Sequence, residues 1–169
     1  APVVVDERLR ESGFGPYEGK PIGPDERAFL RRTRRDHLLD PKNSDHRSQA
    51  AGMELWAEVQ ARIDSFFHDI LPKHRSEHIV IVSHVDPMQN IRHFFTRDDP
   101  AKIVHQPNPL YATPETFFYD HDREAQMDLH CDRIDDISWP GSPSPSSVTL
   151  TLVRHGETDW NKENRSHGG

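Results

Sequence analysis

Two histidines in this chain directly follow apolar, β-branched runs that are typical of buried strands. His84 ends the run HIVIVSH, and His155 ends the run VTLTLVRH. Arg154 precedes the second histidine and Gly156 follows it. In an open α/β sheet, ligands bind beyond the carboxyl ends of the strands, which is where we expect both imidazoles. A neutral imidazole is a nucleophile, a guanidinium pairs with oxyanions, and a glycine lets the backbone approach an anion, so these residue types indicate a site for a phosphoryl group.

The elements that must position these histidines alternate between strands and helices. β-branched runs predict strands at 78–84 and 148–155, a short strand at 3–5, and two antiparallel edge strands, ETFFYD and AQMDLHC, around a charged turn. Apolar residues three and four positions apart predict an amphipathic helix at 52–71. A start with proline and acids and a basic end predict a helix at 24–39, and a third helix is expected at 87–95, directly after the strand. The strand at 78–84 has the pattern of a strand buried on both faces, and it lies between helices. We therefore predict a three-layer α/β/α sandwich with a mainly parallel central sheet and an antiparallel edge strand.

A segment rich in proline and serine, WPGSPSPSS at 139–147, divides the chain. Residues 1–138 carry the main part of an α/β domain, whereas residues 148–169 carry one strand and its loop. A single strand cannot form a core alone, so we expect it to pair beside 79–83 and complete the same sheet, or to complete the sheet of a neighbouring chain. The second arrangement would make the protein a homo-oligomer or a pair of chains that exchange strands.

The motif LVRHGETDWN resembles the signature of the histidine phosphatase superfamily, which has a phosphoglycerate mutase-like fold. The segment DERLRESGFGPYEGK is similar to the family segment that bears an acidic proton donor. HIVIVSHVDPMQNIR is similar to the segment that bears a second histidine, and PNPLYATPETFFYD to the edge strand that follows. Together these stretches cover most of the chain, and the first motif is highly specific.

The resemblance implies a role for each reactive side chain. His155 would attack the phosphoryl group and form a phosphohistidine. Arg154 and His84 would stabilise the charge on the transferring oxygens. Glu11 would protonate the leaving alcohol. Two other carboxylates in or near the same segment, Glu7 and Glu18, are lower-ranked alternatives because acids in a charged loop are usually solvated.

The resemblance also implies a set of phosphate-binding residues around the RHG motif. Arg8 is the weakest member of this set, since an ordinary surface arginine explains it equally well. The full set is Asn161, Gly156, Thr158, Gly168 and Arg8.

The chain departs from the family pattern at three points. Val85 follows the second histidine, where the family normally has glycine. No S-x-L-x-R-A-x-x-T-A-like motif, which supplies another phosphate-binding arginine in the family, occurs in the sequence. The order also differs, because the RHG segment follows the other segments here and precedes them in the family. We expect a circular permutation or another rearrangement; a junction between tandem domains and a concatenation of pieces are the alternatives.

These residues predict a phosphomonoester hydrolase that acts on a small-molecule phosphate ester. A phosphoglycerate mutase-type phosphotransferase is one alternative, because mutases of the family resemble the RHG loop equally well. The short segment GPYEGKPIG resembles the phosphatase version and favours hydrolysis. A catalytically impaired module that only binds phosphate ligands is the other alternative, favoured by Val85 and by the missing arginine motif.

The bulk properties argue against several other classes of function. A formal net charge of -7 is unlike that of a nucleic-acid binder, which carries a basic surplus. No apolar run approaches the ~20 residues of a membrane span. The single cysteine, Cys131, excludes an internal disulfide, and we expect a cytoplasmic location. The 12 histidines show no grouping typical of metal ligands, so we expect neither a metal nor a cofactor.

Overall fold

The computed structural model describes residues 2–40, 42–43, 52–121 and 146–163. In chain order, the elements are α1 (Pro24–Leu39), α2 (Trp56–Ile70), β1 (His78–Ser83), α3 (Val85–Thr96), α4 (Pro100–Ile103), β2 (Pro114–Asp120), β3 (Ser147–Arg154) and α5 (Asp159–Lys162). Single 3₁₀ turns lie at Glu7–Leu9, Gly15–Tyr17 and Leu71–Lys73. The chain is therefore a mixed α/β protein.

The two longest helices begin with the same device. A glutamate in the first turn accepts a hydrogen bond from the backbone N–H of the residue before the helix. In α1 the Gly23 nitrogen lies 2.7 Å from Glu26 Oε2, and in α2 the Leu55 nitrogen lies 2.8 Å from Glu58 Oε2. These bonds satisfy donors at the helix start and place negative charge at the positive end of the helix dipole. The helices predicted at 24–39, 52–71 and 87–95 are confirmed, with small shifts at their ends.

The three strands form one mixed sheet in the order β1-β3-β2. β3 runs parallel to β1, with Ile81 opposite Leu152 and Ser83 opposite Arg154. β2 runs antiparallel to β3 and is the antiparallel edge strand predicted in ETFFYD. The last strand in sequence is thus the central strand of the sheet. The other predicted edge strand, AQMDLHC, lies outside the described residues.

Helices α2 and α3 cover one face of this sheet. Alternate residues of β3 are fully buried on that face, as are Ile63 and Phe67 of α2 and Phe95 of α3. The Phe67 ring lies 5.0 Å from the Phe95 ring, which stacks at 5.1 Å on Phe117 of β2. This aromatic column joins both helices to the sheet, so the core fixes the direction in which the strands end.

The opposite face of the sheet, the open face, is partly uncovered in the described part of the chain. Val80 and Val82 of β1 are 59% and 63% exposed, so β1 is buried on one face only among the described residues. A second helical layer over this face is not seen in that part of the chain. The short strand predicted at 3–5 is wrong, because these valines are exposed and pair with no strand among the described residues. No described helix is long and apolar enough to cross a membrane.

Candidate active site

The parallel pairing of β1 and β3 brings the two strand-end histidines together. His84 follows β1 and His155 follows β3, and their ring centroids are 4.7 Å apart. The backbone N–H of His155 donates to the carbonyl of Ser83 at 3.0 Å, which extends the ladder to the residues that carry the rings. Both side chains are half-buried. The backbone of the sheet, rather than a loop, therefore sets the separation of the imidazoles.

The His155 ring is oriented by its own loop. Its Nδ1 atom lies 2.6 Å from the carbonyl oxygen of Gly156. A carbonyl can only accept, so Nδ1 carries the proton in this contact, and the lone pair of the neutral ring is on Nε2. Apart from the two chain neighbours of Gly156, no atom of the described residues lies within 4 Å of a Cβ placed there. The loop thus fixes a nucleophilic tautomer and leaves open space beside it.

The Arg154 guanidinium is held by a hydrogen bond at one edge and by an aromatic ring against its face. Nη1 donates to the carbonyl of Pro109 at 2.9 Å, and Cζ lies 3.7 Å from the centre of the Tyr111 ring. Tyr111 also forms a parallel bridge with Arg154 and lies 6.0 Å from the His155 ring. The buried Nε atom has no hydrogen-bond acceptor among the described groups, and an unpaired buried donor is costly. The residue before His155 is therefore a cation whose Nε–H can still donate a hydrogen bond.

The loop that carries Glu11 is tied to the residues on either side of His84. Ser83 Oγ donates to the carbonyl of Leu9 at 2.7 Å, and Ser12 Oγ donates to Asp86 Oδ2. The Ser12 backbone N–H donates to Glu11 Oε1 at 2.9 Å. These contacts bring the predicted proton donor to the same edge of the sheet as the histidines.

Glu54 supports the far side of the same loop. Its Oε2 accepts from the Gly13 N–H at 3.0 Å, and Arg62 Nε donates to its Oε1 at 2.8 Å. Arg10 Nη1 lies 3.3 Å from Glu54 Oε2 and 3.0 Å from the Glu11 carbonyl oxygen. Burial alone would raise the pKa of Glu54, but the hydrogen bonds from Arg62 and Gly13 and the charge of Arg10 outweigh it and lower the pKa. Glu54 is therefore an ionised anchor for the loop.

Sequence reasoning missed several of these supporting residues, namely Ser12, Glu54, Asp86, Pro109 and Tyr111. Ser12 lies 74 positions from Asp86 and Gly13 lies 41 positions from Glu54, so no local spacing reveals either contact. The segment PNPLY was recognised only as the approach to an edge strand. Its stacking on Arg154 depends on the bridge between Tyr111 and β3, which no periodic pattern encodes.

Arg8 is committed to other partners. Its guanidinium donates to Asp6 at 2.6 Å, to Asp69 at 3.1 Å and to the Ser65 carbonyl at 3.1 Å. The hydrogen bonds from Arg8 lower the pKa of Asp6, as expected for a stable ion pair. Its cation also lies over the ring of Phe66 on α2. These contacts hold Arg8 on α2 and do not bring it to the histidines.

The remaining predicted residues differ in how far the structure describes them. Thr158 is half-buried and its carbonyl accepts from the Lys162 N–H at 3.2 Å. Asn161 lies in α5, but its side chain is outside the described atoms, and Gly168 lies outside the described residues. Of the alternative acids, Glu7 is exposed, and Glu18 accepts from the Phe14 N–H at 3.1 Å. The described part of the chain holds no group of three or more residues that could bind a metal ion.

A comparison with known protein families gave a match over most of the chain. The family model described as histidine phosphatase superfamily (branch 1) matches residues 1–121. The matched range includes Glu11 and His84 and ends before β3 and His155. No curated protein and no solved structure matched the chain.

Proposed function

The chain belongs to the histidine phosphatase superfamily, and from that premise we propose that it hydrolyses phosphomonoesters through a phosphohistidine on His155. The observation that carries the proposal is the 4.7 Å separation of the His84 and His155 rings at the ends of paired strands. The family match does not extend to β3, so the β1–β3 pairing supplies an independent reason to place His155 in the same site.

In the first step, Nε2 of His155 attacks the phosphorus atom. A nitrogen–phosphorus bond forms, and the bond from phosphorus to the alcohol oxygen breaks. Glu11 gives its proton to that oxygen, so the alcohol leaves neutral and Glu11 becomes a carboxylate. Arg154 and His84 stabilise the negative charge on the phosphoryl oxygens as the bonds change.

In the second step, water releases the phosphate. The water oxygen attacks phosphorus, and the Glu11 carboxylate takes a proton from that water at the same time. The nitrogen–phosphorus bond then breaks, inorganic phosphate leaves, and His155 returns to its neutral form. The hydrogen bond from Nδ1 to the Gly156 carbonyl keeps the same nitrogen in the nucleophilic state for the next cycle.

The substrate that we propose is a small-molecule phosphate ester. Few arginine side chains of the described site are available to bind its phosphate group. Arg154 is the arginine that flanks the nucleophile, and Arg10 is engaged by Glu54. We also propose that the complete domain is a three-layer sandwich, with a further helical layer over Val80 and Val82.

A direct test is hydrolysis of p-nitrophenyl phosphate by the full chain and two histidine variants. We expect His155→Ala to abolish turnover, because it removes the imidazole that forms the phosphohistidine in the proposed reaction. His78→Ala is the matched control, since it removes an exposed histidine from the opposite end of β1. Turnover that survives in His155→Ala, or an equal loss in His155→Ala and His78→Ala, would overturn the assignment of His155 as the nucleophile. Adding 2,3-bisphosphoglycerate and following isomerisation would separate the mutase alternative from hydrolysis.

A further inference from the structure

Ser12 contacts two carboxyl groups at once through two different donors. Its backbone N–H donates to Glu11 Oε1 at 2.9 Å, and its Oγ–H donates to Asp86 Oδ2. Ser12 itself is fully buried. The Asp86 side chain thus holds Ser12, and the backbone N–H of Ser12 holds the Glu11 carboxyl.

Asp86 is a rigid support for this contact. It lies in the first turn of α3, two positions after His84, where a negative charge is favoured by the helix dipole. Its carbonyl accepts from Asn90 Nδ2 at 2.9 Å, and Asn90 is fully buried. The backbone of Asp86 is therefore tied to α3, whose other face is packed in the core.

Simple attachment of the loop does not account for this arrangement. Ser83 already binds the loop at Leu9, and Glu54 binds it at Gly13, on the two sides of Ser12. A further carboxylate close to a phosphate site repels the substrate, so its presence there has an electrostatic cost. The contact offsets that cost if it fixes the orientation of Glu11.

On the basis of the proposed function, we propose that Ser12 and Asp86 are positioning residues that aim the Glu11 carboxyl at the leaving-group oxygen. Their contribution depends on how much the leaving group needs a proton. An alkoxide is a poor leaving group and must be protonated as the bond breaks, whereas p-nitrophenolate leaves as an anion. Loss of the contact then slows the cleavage of alkyl esters selectively.

The experiment compares kcat/KM for p-nitrophenyl phosphate and glycerol 2-phosphate in the full chain. We expect Ser12→Ala and Asp86→Ala each to lower kcat/KM for the alkyl ester by about ten- to hundredfold, with little change for the aryl ester. Asp86→Asn retains an acceptor for the Ser12 hydroxyl, so it should restore most of the alkyl activity. The double variant should be no worse than either single variant, because both remove the same contact.

Two controls separate positioning from general damage. Thr151→Val removes a hydroxyl that contacts His78 at 2.8 Å on the open face of the sheet. We expect any change in kcat/KM in this variant to be the same for the aryl and the alkyl ester. Phosphorylation of His155 by the aryl ester reports whether the Ser12 and Asp86 variants retain a folded site.

An equal loss on both esters, or an additive double variant, would overturn the positioning role while leaving the proposed function intact. A wild-type protein that cleaves neither ester and takes no label on His155 would overturn the proposed function, and the inference with it.

Discussion

The two halves of the candidate site are held by different kinds of interaction. His84 and His155 are placed by the backbone ladder between β1 and β3, which continues to the His155 N–H. Glu11 lies in a loop that is placed by hydrogen bonds from side chains, among them Ser83 and Glu54. A single substitution can loosen the loop, but the separation of the imidazoles changes only if the sheet changes. The geometry of the nucleophile is thus more robust than that of the proton donor.

Truncation in the sheet should have the largest effect on stability. Leu152 is fully buried in the central strand, opposite Ile81. We expect Leu152→Ala to lower the free energy of unfolding by about 2–5 kcal/mol, because it leaves a cavity in the core. Urea denaturation measures the change. Val82→Ala on the open face is the control, and an equal loss there would show that this face is covered.

Replacing Arg154 should have the largest effect on catalysis short of losing a histidine. Lysine keeps the charge but cannot reproduce the planar contact with Tyr111 or the fork geometry. We expect Arg154→Lys to lower kcat/KM by about 10²- to 10³-fold for aryl and alkyl esters alike. Steady-state kinetics with both esters checks this expectation. A loss confined to alkyl esters would instead assign Arg154 to the protonation step.

Removing the charge of Glu54 should loosen the loop and leave the sheet intact. Glu54→Gln weakens charged hydrogen bonds with Arg62 and Arg10, so we expect a loss of about 2 kcal/mol in unfolding free energy at neutral pH. The folded pKa of Glu54 lies below its ordinary value, so the unfolded state binds more protons in the window between the two. The contribution is complete above the ordinary glutamate pKa of about 4.3 and disappears as the pH falls through the lower folded pKa.

Denaturation of wild type and Glu54→Gln between neutral and acidic pH tests both statements. The difference between the two proteins should shrink on acidification. A difference that grows as the pH falls would contradict the assignment of Glu54 as an ionised anchor. His155 should still accept phosphate from an aryl ester in this variant, since the strand ends are unchanged.

Arg8 lies before the loop and should matter least. Ion pairs as exposed as that of Arg8 with Asp6 contribute about 0.2–1 kcal/mol, so Arg8→Gln should change the unfolding free energy by no more than this. The KM for p-nitrophenyl phosphate, measured in the same variant, tests the phosphate-binding role implied by the resemblance. An increase in KM would show that Arg8 reaches the substrate despite its contacts on α2.

The same comparison explains which features were predictable. Local patterns predict the helices and the strands β1, β2 and β3, because apolar periodicity, helix-end residues and β-branched runs all lie within single elements. The positions of His84 and His155 follow from strand ends and from a recognised motif. The loop supports, Ser12 with Asp86 and Gly13 with Glu54, join residues distant in sequence, and their identities follow from tertiary packing that no local pattern contains.

Two expectations that the described residues do not match have a physical cause as well. The run HIVIVS is compatible with burial on both faces, but Val80 and Val82 are covered only if another element packs over them. Residues 3–5 likewise have strand propensity without a described neighbour to pair with. Propensity states what a segment can form, whereas pairing and burial depend on what lies beside it.

Trapping the phosphorylated protein is the most direct test of the central claim. The full chain is incubated with p-nitrophenyl phosphate, quenched in alkali, and digested for mass spectrometry, with His155→Ala and His78→Ala treated in parallel. We predict one acid-labile, base-stable phosphate on His155, retained in His78→Ala and lost in His155→Ala. Phosphate on His84 with an unmodified His155, or turnover with no phosphohistidine in any digest, would contradict the account.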